Sequence, residues 1–164
     1  MSYLETYQEW LHSPALSPAE KAELESIAND PKEIESRFFA QLSFGTAGLR
    51  GTMCTGLHQM NVHVIGHTTQ AFAEVVKAEG AAACAKGVAI CFDCRNHSAE
   101  FAKEAACVMA ANGIQVRLFE AMRPTPELSF AIRKYGCQAG INVTASHNPK
   151  EYNGYKVYWA DGAQ

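Results

Sequence analysis

A serine and a histidine stand side by side in the segment VTASHNP, residues 143–149, and both residue types can take part in group transfer. The segment follows an apolar run typical of a buried strand, and Pro149 prevents that strand from continuing. Ser146 can therefore form the turn, act as a hydrolytic nucleophile, or carry a transferred group. Local composition alone favours the turn, because Ser, Asn and Pro commonly end strands.

Hydrolysis through Ser146 is the weaker chemical hypothesis. A nucleophilic serine needs a base within hydrogen-bonding distance, and adjacent residues in an extended backbone point to opposite sides. We therefore expect His147 to be poorly placed to deprotonate its neighbour. The GxSxG segment typical of hydrolase nucleophiles does not occur in the sequence.

Phosphoryl transfer fits the neighbouring residues better, because its transition state spreads negative charge over several oxygens and depends on positioned cations. Lys156 lies ten residues after Ser146, and the segment YNGY before it predicts a tight turn that folds Lys156 back toward the serine. Arg50 offers a second cation, and His147 can exchange a proton near neutral pH. The hypothesis is a phosphate carrier at Ser146 with His147, Lys156 and Arg50 as catalytic partners.

A glycine-rich segment, FGTAGLRG at residues 44–51, is a second candidate for contact with an anion. Glycines allow the backbone to approach an anion closely, and the Arg50 guanidinium can form two parallel hydrogen bonds with one phosphate. Glycine-rich turns are common, so this segment is weak evidence by itself.

Two other spacings are typical of metal or redox sites but are incomplete here. His63 and His67 lie four residues apart on a predicted helix, without a glutamate base between them or an evident third ligand. Cys91 and Cys94 have the spacing of a redox pair, yet Cys91 lies in a predicted strand and no second pair completes a zinc site. We interpret both pairs as incidental.

Three polar segments follow predicted strands. The strands are VAICFD (88–93), IQVRLF (114–119) and AGINVTA (139–145), and helices are predicted between them. This alternation predicts a parallel sheet with right-handed crossovers, in which ligands bind outside the carboxyl ends of the strands. The segments DCRNHS, EAMRPTP and SHNPKEYNG are therefore predicted to share one cleft.

The fold class predicted is α/β: a three-layer α/β/α domain with a mostly parallel, mixed four-stranded sheet. The fourth strand is YKVYW (155–159), antiparallel or at an edge, because the loop before it is too short for a crossover. Apolar periodicity predicts a long helix from Asn61 that stops at Gly80. Two further helices are predicted to have Ser98 and Thr125 as their N-caps.

Residues 1–40 predict a helical extension, and residues 41–164 predict the α/β domain. Ser17 and Glu20 form a capping box at the start of one short helix, and Asp30 marks the start of another. The sequence ends soon after a turn at residues 161–162 without a closing element, which predicts that the domain belongs to a longer, multidomain chain.

The composition excludes several classes of partner. The 164 residues are 48% hydrophobic and 19% charged, which suits a packed core. A net charge of -3 without blocks of like charge predicts no nucleic-acid or membrane-surface binding. The N-terminus lacks the features of a secretory signal, so we predict a cytoplasmic protein whose six cysteines are reduced.

Five motifs, taken in order, resemble the first domain of the α-D-phosphohexomutases: FGTAGLRG, FDCRNHS, RPTPELSFAIR, TASHNP and YNGYKVY. The resemblance spans roughly residues 3–164 and is greatest to the phosphoglucomutase branch. It implies interconversion of glucose 1-phosphate and glucose 6-phosphate through a phosphoserine and a sugar bisphosphate. The alternatives are a phosphopentomutase or sugar-bisphosphate synthase of the same branch, or a non-catalytic phosphosugar-binding protein.

By this resemblance, Ser146 matches the phosphorylated serine, His147 and Lys156 match residues for proton transfer and phosphate contact, and Arg50 matches the cleft arginine. The implied phosphate-binding and substrate-binding set is Thr46, Gly48, Arg50, Asn148 and Lys156. The implied cofactors are Mg²⁺, bound to Ser146 through its phosphate, and glucose 1,6-bisphosphate. Because the family's other metal ligands lie in further domains of the same chain, we expect these 164 residues alone to be inactive.

The segment after Gly51 departs from the branch. The branch commonly has MGxGxNRMN where this chain has MCTGLHQMN, so Cys54, His58 and Gln59 replace glycine, asparagine and arginine. We expect this departure to affect substrate detail more than reaction class.

Overall fold

A computed structural model describes residues 2–46 and 48–164 of the chain. Within these ranges the secondary structure, in chain order, is α1 (Tyr3–His12), α2 (Pro18–Ser26), α3 (Pro31–Phe38), β1 (Gly48–Thr52), α4 (Val62–Ala78), α5 (Ala81–Lys86), β2 (Val88–Phe92), α6 (Ser98–Ala111), β3 (Val116–Leu118), α7 (Thr125–Tyr135), β4 (Ala139–Val143) and β5 (Tyr152–Trp159). None of these helices combines the length and the apolarity needed to cross a membrane.

The five strands form one mixed sheet in the order β1-β5-β4-β2-β3. Strand β2 is parallel to both of its neighbours, and β5 is antiparallel to β4 and β1. The predicted parallel core and the antiparallel direction of the last strand are therefore confirmed. The short connection from β4 to β5 explains that direction, because only an antiparallel neighbour can be reached without a crossover.

The fifth strand, β1, is the difference from the predicted four. Its sequence, GLRGT, belongs to the segment interpreted as a glycine-rich turn, because glycine is depleted in strands. The strand forms because β5 offers it a partner more than a hundred positions later, with Gly48 opposite Lys156 and Thr52 opposite Tyr152. The glycine-rich segment is thus partly an edge strand.

Helices cover both faces of the sheet, which confirms the three-layer architecture. Residues of β2 alternate between two cores: Val88 and Ile90 pack with α4 and α6, whereas Ala89 and Cys91 pack with α7. All four side chains are fully buried, as expected for a parallel strand with helices on each side.

The three N-terminal helices share a small core of their own, formed by Tyr7, Leu16, Leu24, Ile34 and Phe38. The predicted capping box at α2 is confirmed: the Glu20 amide donates to Ser17 Oγ, and the Ser17 amide donates to Glu20 Oε2. Asp30 likewise caps α3. The division of the chain at residue 40 stays a prediction.

Two predicted caps are wrong. Ser98 and Thr125 are the first residues of α6 and α7 rather than their N-caps, and neither residue at the cap position, His97 or Pro124, caps its helix with a side-chain hydrogen bond. The Ser98 and Thr125 hydroxyls bond instead to residues in or directly after neighbouring strands: Ser98 Oγ donates to Asp93 Oδ1, and Thr125 Oγ1 accepts from Asn142 Nδ2. The two hydroxyls thus join helix starts to strand ends.

The long helix predicted from Asn61 is confirmed as α4, and Asn61 caps it. Gly80 follows its end with φ 95°, in the left-handed region where glycine is favoured. The chain then forms the short helix α5, which the sequence analysis did not predict.

Candidate active site

Ser146 lies in the loop after β4, at the carboxyl end of a strand whose five residues are all buried. Its backbone has φ 57°, a left-handed conformation that costs a non-glycine residue roughly 1–2 kcal/mol. The Ser146 amide donates to Thr144 Oγ1 at 3.0 Å, and the Asn148 amide donates to the Ala145 carbonyl at 3.1 Å. These bonds hold the turn, and Ser146 itself is exposed to solvent.

His147 is a neighbour of Ser146 in space as well as in sequence. Ser146 Oγ lies 3.4 Å from His147 Nδ1, slightly beyond an optimal hydrogen bond. The expectation that the two side chains point apart was wrong, because it assumed an extended backbone and Ser146 is left-handed. The imidazole is therefore close enough to exchange a proton with an oxygen at Ser146.

An arginine that sequence analysis did not single out fixes the backbone of this loop. Arg95 Nη2 donates to the carbonyls of Ser146 at 2.9 Å and Asn148 at 2.7 Å. Its Nη1 donates to the carbonyls of Pro149 at 2.8 Å and Tyr152 at 2.9 Å. One guanidinium thus binds four carbonyl oxygens of the segment that connects β4 to β5.

Arg95 is itself held by the residues that follow β2. Asp93 Oδ2 lies 3.4 Å from Arg95 Nε, and Asp93 Oδ1 accepts from the Arg95 amide and from Ser98 Oγ. Asn153 Nδ2 in turn donates to Ser98 Oγ and to the Asn96 carbonyl. A signal for this arrangement was available, because β2 and β4 are parallel neighbours and the segments after them must meet at one edge.

A cavity of about 480 Å³ lies beside β1 and β5. Four of the predicted phosphate-binding residues line it together: Thr46, Gly48, Arg50 and Lys156. The remaining lining residues in the described part of the chain are Ser43, Gly45, Leu49 and Gln164. The structure thus brings Arg50 and Lys156 to one site, although not through the turn that the sequence predicted.

Gly48 has a structural reason to be glycine at this cavity. Its φ is 151°, and a Cβ on it would lie within 2.9 Å of the Lys156 Cα and overlap the Tyr155 carbonyl. Any side chain at this position would push β1 away from β5. The wall of the cavity therefore depends on a glycine, and the Gly45 amide donates to the Gly48 carbonyl beside it.

The predicted return of Lys156 to Ser146 is wrong. YNGY is not a turn but the first half of strand β5, and Lys156 lies opposite Asn142 of β4. Ser146 lies in the turn after β4, beyond the part of the strand that faces Lys156. Lys156 Nζ instead lies 3.4 Å from Gln164 Oε1, at the cavity.

Arg50 is nearer to Ser146 than Lys156 in the register of the sheet. Arg50 lies opposite Gly154, and the Gly154 carbonyl accepts from the amide of Thr144, two residues before Ser146. No side chain on Gly154 separates Arg50 from the end of β4. Asn148, the remaining predicted phosphate-binding residue, belongs to the Ser146 loop and does not line the cavity.

The described residues do not form a metal site by themselves. No three His, Cys, Asp or Glu side chains among them are grouped so that they could hold an ion. The donor that fits a role toward Mg²⁺ is the exposed Ser146 hydroxyl, since a phosphoryl group on it would present the hard oxygen ligands that this ion prefers.

In each of the His63/His67 and Cys91/Cys94 pairs, which were interpreted as incidental, one member contacts another residue and the other is exposed. His63 Nε2 lies 2.9 Å from Glu20 Oε1 of α2, and His67 is exposed. Burial raises the pKa of the Cys91 thiol to about 12, and Cys91 Sγ donates to Asn142 Oδ1, whereas Cys94 is exposed.

The three departures from the branch pattern contact the N-terminal helices. Gln59 accepts a hydrogen bond from Thr52 Oγ1 and donates to the Ser36 carbonyl. The His58 amide donates to the Arg37 carbonyl, and its ring packs on Phe39. Burial raises the pKa of the Cys54 thiol, although nearby Arg37 acts to lower it. None of the three lines the cavity.

Arg37 forms the centre of the link between these helices and the segment after β1. It is buried, and its guanidinium contacts Glu23 at 2.5 Å, Glu33 at 2.8 Å and the Thr55 carbonyl at 3.3 Å. Glu23 also accepts from the backbone and hydroxyl of Thr55. The departures therefore belong to the contact between the N-terminal helices and the segment after β1 rather than to the cavity.

Comparison with known proteins identifies the family. A family model described as "Phosphoglucomutase/phosphomannomutase, alpha/beta/alpha domain I" matches residues 41–164. A human phosphopentomutase is 41% identical over 163 residues, and a Staphylococcus aureus phosphoglucomutase is 43% identical over 134 residues. These alignments cover 95% and 80% of this chain, but 27% and 24% of those proteins.

Solved structures show the same likeness. A phosphoglucomutase/phosphomannomutase family protein from Burkholderia thailandensis superimposes with a TM-score of 0.62 at 28% identity, over 74% of this chain and 27% of that one. The chain thus spans about a quarter of the length of the proteins it matches. Because the family model matches residues 41–164, this chain belongs to the α-D-phosphohexomutase family and carries the α/β/α domain I of that family.

Proposed function

We propose that the protein is a phosphosugar mutase that interconverts glucose 1-phosphate and glucose 6-phosphate, with Ser146 as the phosphate carrier. The observation that carries this proposal is the Ser146 loop: an exposed, left-handed serine whose surrounding carbonyls are bound by one arginine. A carrier must present its oxygen at a fixed position, because phosphoryl transfer depends mainly on positioning and charge stabilisation.

In the proposed reaction, a hydroxyl of the sugar monophosphate attacks phosphorus on phospho-Ser146. The new sugar O–P bond forms as the Ser146 Oγ–P bond breaks, and the proton released by the sugar hydroxyl replaces the one that His147 gives up. His147, 3.4 Å from Ser146 Oγ, supplies a proton to that oxygen as it leaves. The sugar bisphosphate then turns around and returns its other phosphoryl group to Ser146 by the reverse steps.

The cavity supports binding of the phosphate that is not being transferred. Arg50 and Lys156 provide the cations there, and Thr46 and Gly48 provide a hydroxyl and a backbone without a side chain. Asn148 is assigned to the same substrate from its place in the Ser146 loop.

Mg²⁺, bound through the phosphate on Ser146, would neutralise charge on the transferring group, and glucose 1,6-bisphosphate is the proposed intermediate and activator. We assign the other metal ligands and the sugar-recognition residues to further domains of the full-length protein. The 164-residue chain alone should then show no turnover. A cytoplasmic location stays a prediction.

Ser146→Ala in the full-length protein tests the carrier. The assay measures conversion of glucose 1-phosphate to glucose 6-phosphate with Mg²⁺ and a trace of glucose 1,6-bisphosphate, and mass spectrometry measures phosphate on residue 146. We expect no detectable turnover and no phosphate in the variant, while the exposed control Ser26→Ala retains both. Turnover of Ser146→Ala near that of the wild type would refute the proposal.

Phosphopentomutase activity is the second candidate. The observation in its favour is the human phosphopentomutase alignment, which covers 95% of the chain and so includes the N-terminal helices, against 80% for the Staphylococcus aureus phosphoglucomutase. The ratio of kcat/KM for ribose 1-phosphate to that for glucose 1-phosphate, measured on the full-length protein, separates the candidates. A ratio above one favours the pentose, and a ratio below one favours the hexose.

A further inference from the structure

Arg95 lies at the proposed site, and its hydrogen-bond donors can be counted. A guanidinium has five N–H groups. Four bonds run to the carbonyls of Ser146, Asn148, Pro149 and Tyr152, at 2.7 to 2.9 Å. The Nε faces Asp93 at 3.4 Å. No donor of Arg95 is left over for a phosphate.

The side chain of Arg95 is only 12% exposed, and its bonds to the Asn148 and Tyr152 carbonyls are partly buried, whereas those to the Ser146 and Pro149 carbonyls are exposed. A further tie to the rest of the protein is the Met53 amide, which donates to the Glu151 carbonyl, whereas the amides of Asn148 and Tyr152 bond only within the loop itself. Loss of the guanidinium would remove all four bonds at once and leave the partly buried carbonyls of Asn148 and Tyr152 unsatisfied, which favours local opening of the loop.

We infer that Arg95 is a positioning residue, which fixes the Ser146 oxygen for phosphoryl transfer without contacting the substrate. The inference rests on the proposed function. It differs from a role in substrate binding, because a positioning residue affects the rate of the chemical step, whereas a residue that binds the substrate's phosphate affects KM. A displacement near 1 Å at a reacting atom lowers turnover by about 100-fold.

Arg95→Lys keeps the positive charge but replaces the planar fork with a single ammonium that cannot span four carbonyls. In the full-length protein we expect kcat to fall about 10- to 100-fold with KM unchanged within about twofold. Arg117→Lys is the matched control, because the hydrogen bond from Arg117 to the Lys86 carbonyl is exposed to solvent. This variant should keep both kcat and KM. Circular dichroism verifies that each variant is folded.

A second variant and a second readout complete the test. Arg95→Ala should lose turnover and regain part of it when guanidinium ion is added at millimolar concentration, which fills the vacated position. Hydrogen exchange of the 164-residue chain should speed up at the Ser146, Asn148 and Tyr152 amides in Arg95→Lys but not in the β4 amides.

The outcomes separate the inference from the proposed function. Wild-type turnover together with a lower kcat, an unchanged KM and faster loop exchange in Arg95→Lys supports the inference. Wild-type turnover with an unchanged kcat, or with a raised KM as the main effect, overturns it and leaves the mutase proposal intact. No turnover in the wild type refutes the mutase proposal and removes the inference with it, whatever the exchange rates are.

Discussion

Gly154 is a position inside the sheet where one added methyl group would meet backbone atoms on two sides. It lies in β5 between β4 and β1, and a Cβ on it would stand 2.5 Å from the Thr144 carbonyl and 2.9 Å from the Leu49 carbonyl. Both obstacles are backbone atoms of neighbouring strands, so neither can rotate away. Gly154→Ala must therefore separate β5 from its neighbours.

The magnitude follows from what that separation breaks. The bond from the Thr144 amide to the Gly154 carbonyl, 3.0 Å long, lies at the displaced point. Each buried backbone group left unpaired costs about 1–3 kcal/mol, and strain adds to this, so we expect a loss of about 3–5 kcal/mol of unfolding free energy. The assay is urea unfolding of the 164-residue chain, with the free energy taken from linear extrapolation.

Gly140→Ala provides the matched control, because it is also a buried glycine in a central strand. Here the added Cβ would overlap Ile132 Cδ1, the end of a flexible side chain, and overpacking of this kind costs about 1–3 kcal/mol. Ile132→Val removes that methyl group. The double variant Gly140→Ala/Ile132→Val should therefore lose at least about 1 kcal/mol less unfolding free energy than the sum of the losses in the two single variants. A loss below about 1 kcal/mol in Gly154→Ala, or no such recovery at Gly140, would refute the steric argument.

Two further predictions concern buried polar groups. Tyr155→Phe removes the acceptor of the Thr69 hydroxyl, both fully buried, and should cost about 1–2 kcal/mol in urea unfolding, most of which Thr69→Val should restore; equal losses in the single and double variants would contradict this. Burial acts to raise the pKa of Glu23, but hydrogen bonds led by that of Thr55 lower it overall. Its stabilising effect should be complete above about pH 4.3, the unfolded value, and be lost as pH falls through the lowered folded pKa. Glu23→Gln should reduce the slope of unfolding free energy against pH in this range, whereas the exposed control Glu35→Gln should leave the slope unchanged. An unchanged slope in Glu23→Gln would exclude Glu23 as the cause of this pH dependence.

The elements that the sequence predicted correctly are those determined by local pattern. Strand β2 is apolar on both faces, and the Ser17 capping box needs only residues three apart. Strand β1 was missed because it is stabilised by β5, far along the chain, and not by its own glycine-rich sequence. The predicted caps at Ser98 and Thr125 were wrong because the Ser98 hydroxyl bonds to Asp93, directly after β2, and the Thr125 hydroxyl bonds to Asn142 of β4. Such errors arise wherever tertiary contacts outweigh local preference.

The site shows the same limit. Motif resemblance placed Arg50 and Lys156 in the site, but only the β1–β5 pairing explains how they meet. The local interpretation of YNGY as a turn put Lys156 beside Ser146, where the structure does not place it. The assumption of an extended backbone separated His147 from Ser146, and the left-handed φ of Ser146 joins them. A sequence gives no measure of that dihedral angle.

The neighbouring sequence does not assign roles to the arginines of this chain, but the partners of their N–H groups in the structure do. Arg37 is bound to Glu23 and Glu33, and Arg95 is bound to loop carbonyls and Asp93, so neither has capacity for a substrate anion. Arg50 is exposed, lines the cavity, and takes part in none of the ion pairs of the described residues. A guanidinium exchanges its existing partners for a phosphate only at the cost of those bonds. Substrate charge should therefore be met at Arg50, and a change at Arg37 or Arg95 should act on the substrate only through the backbone it holds.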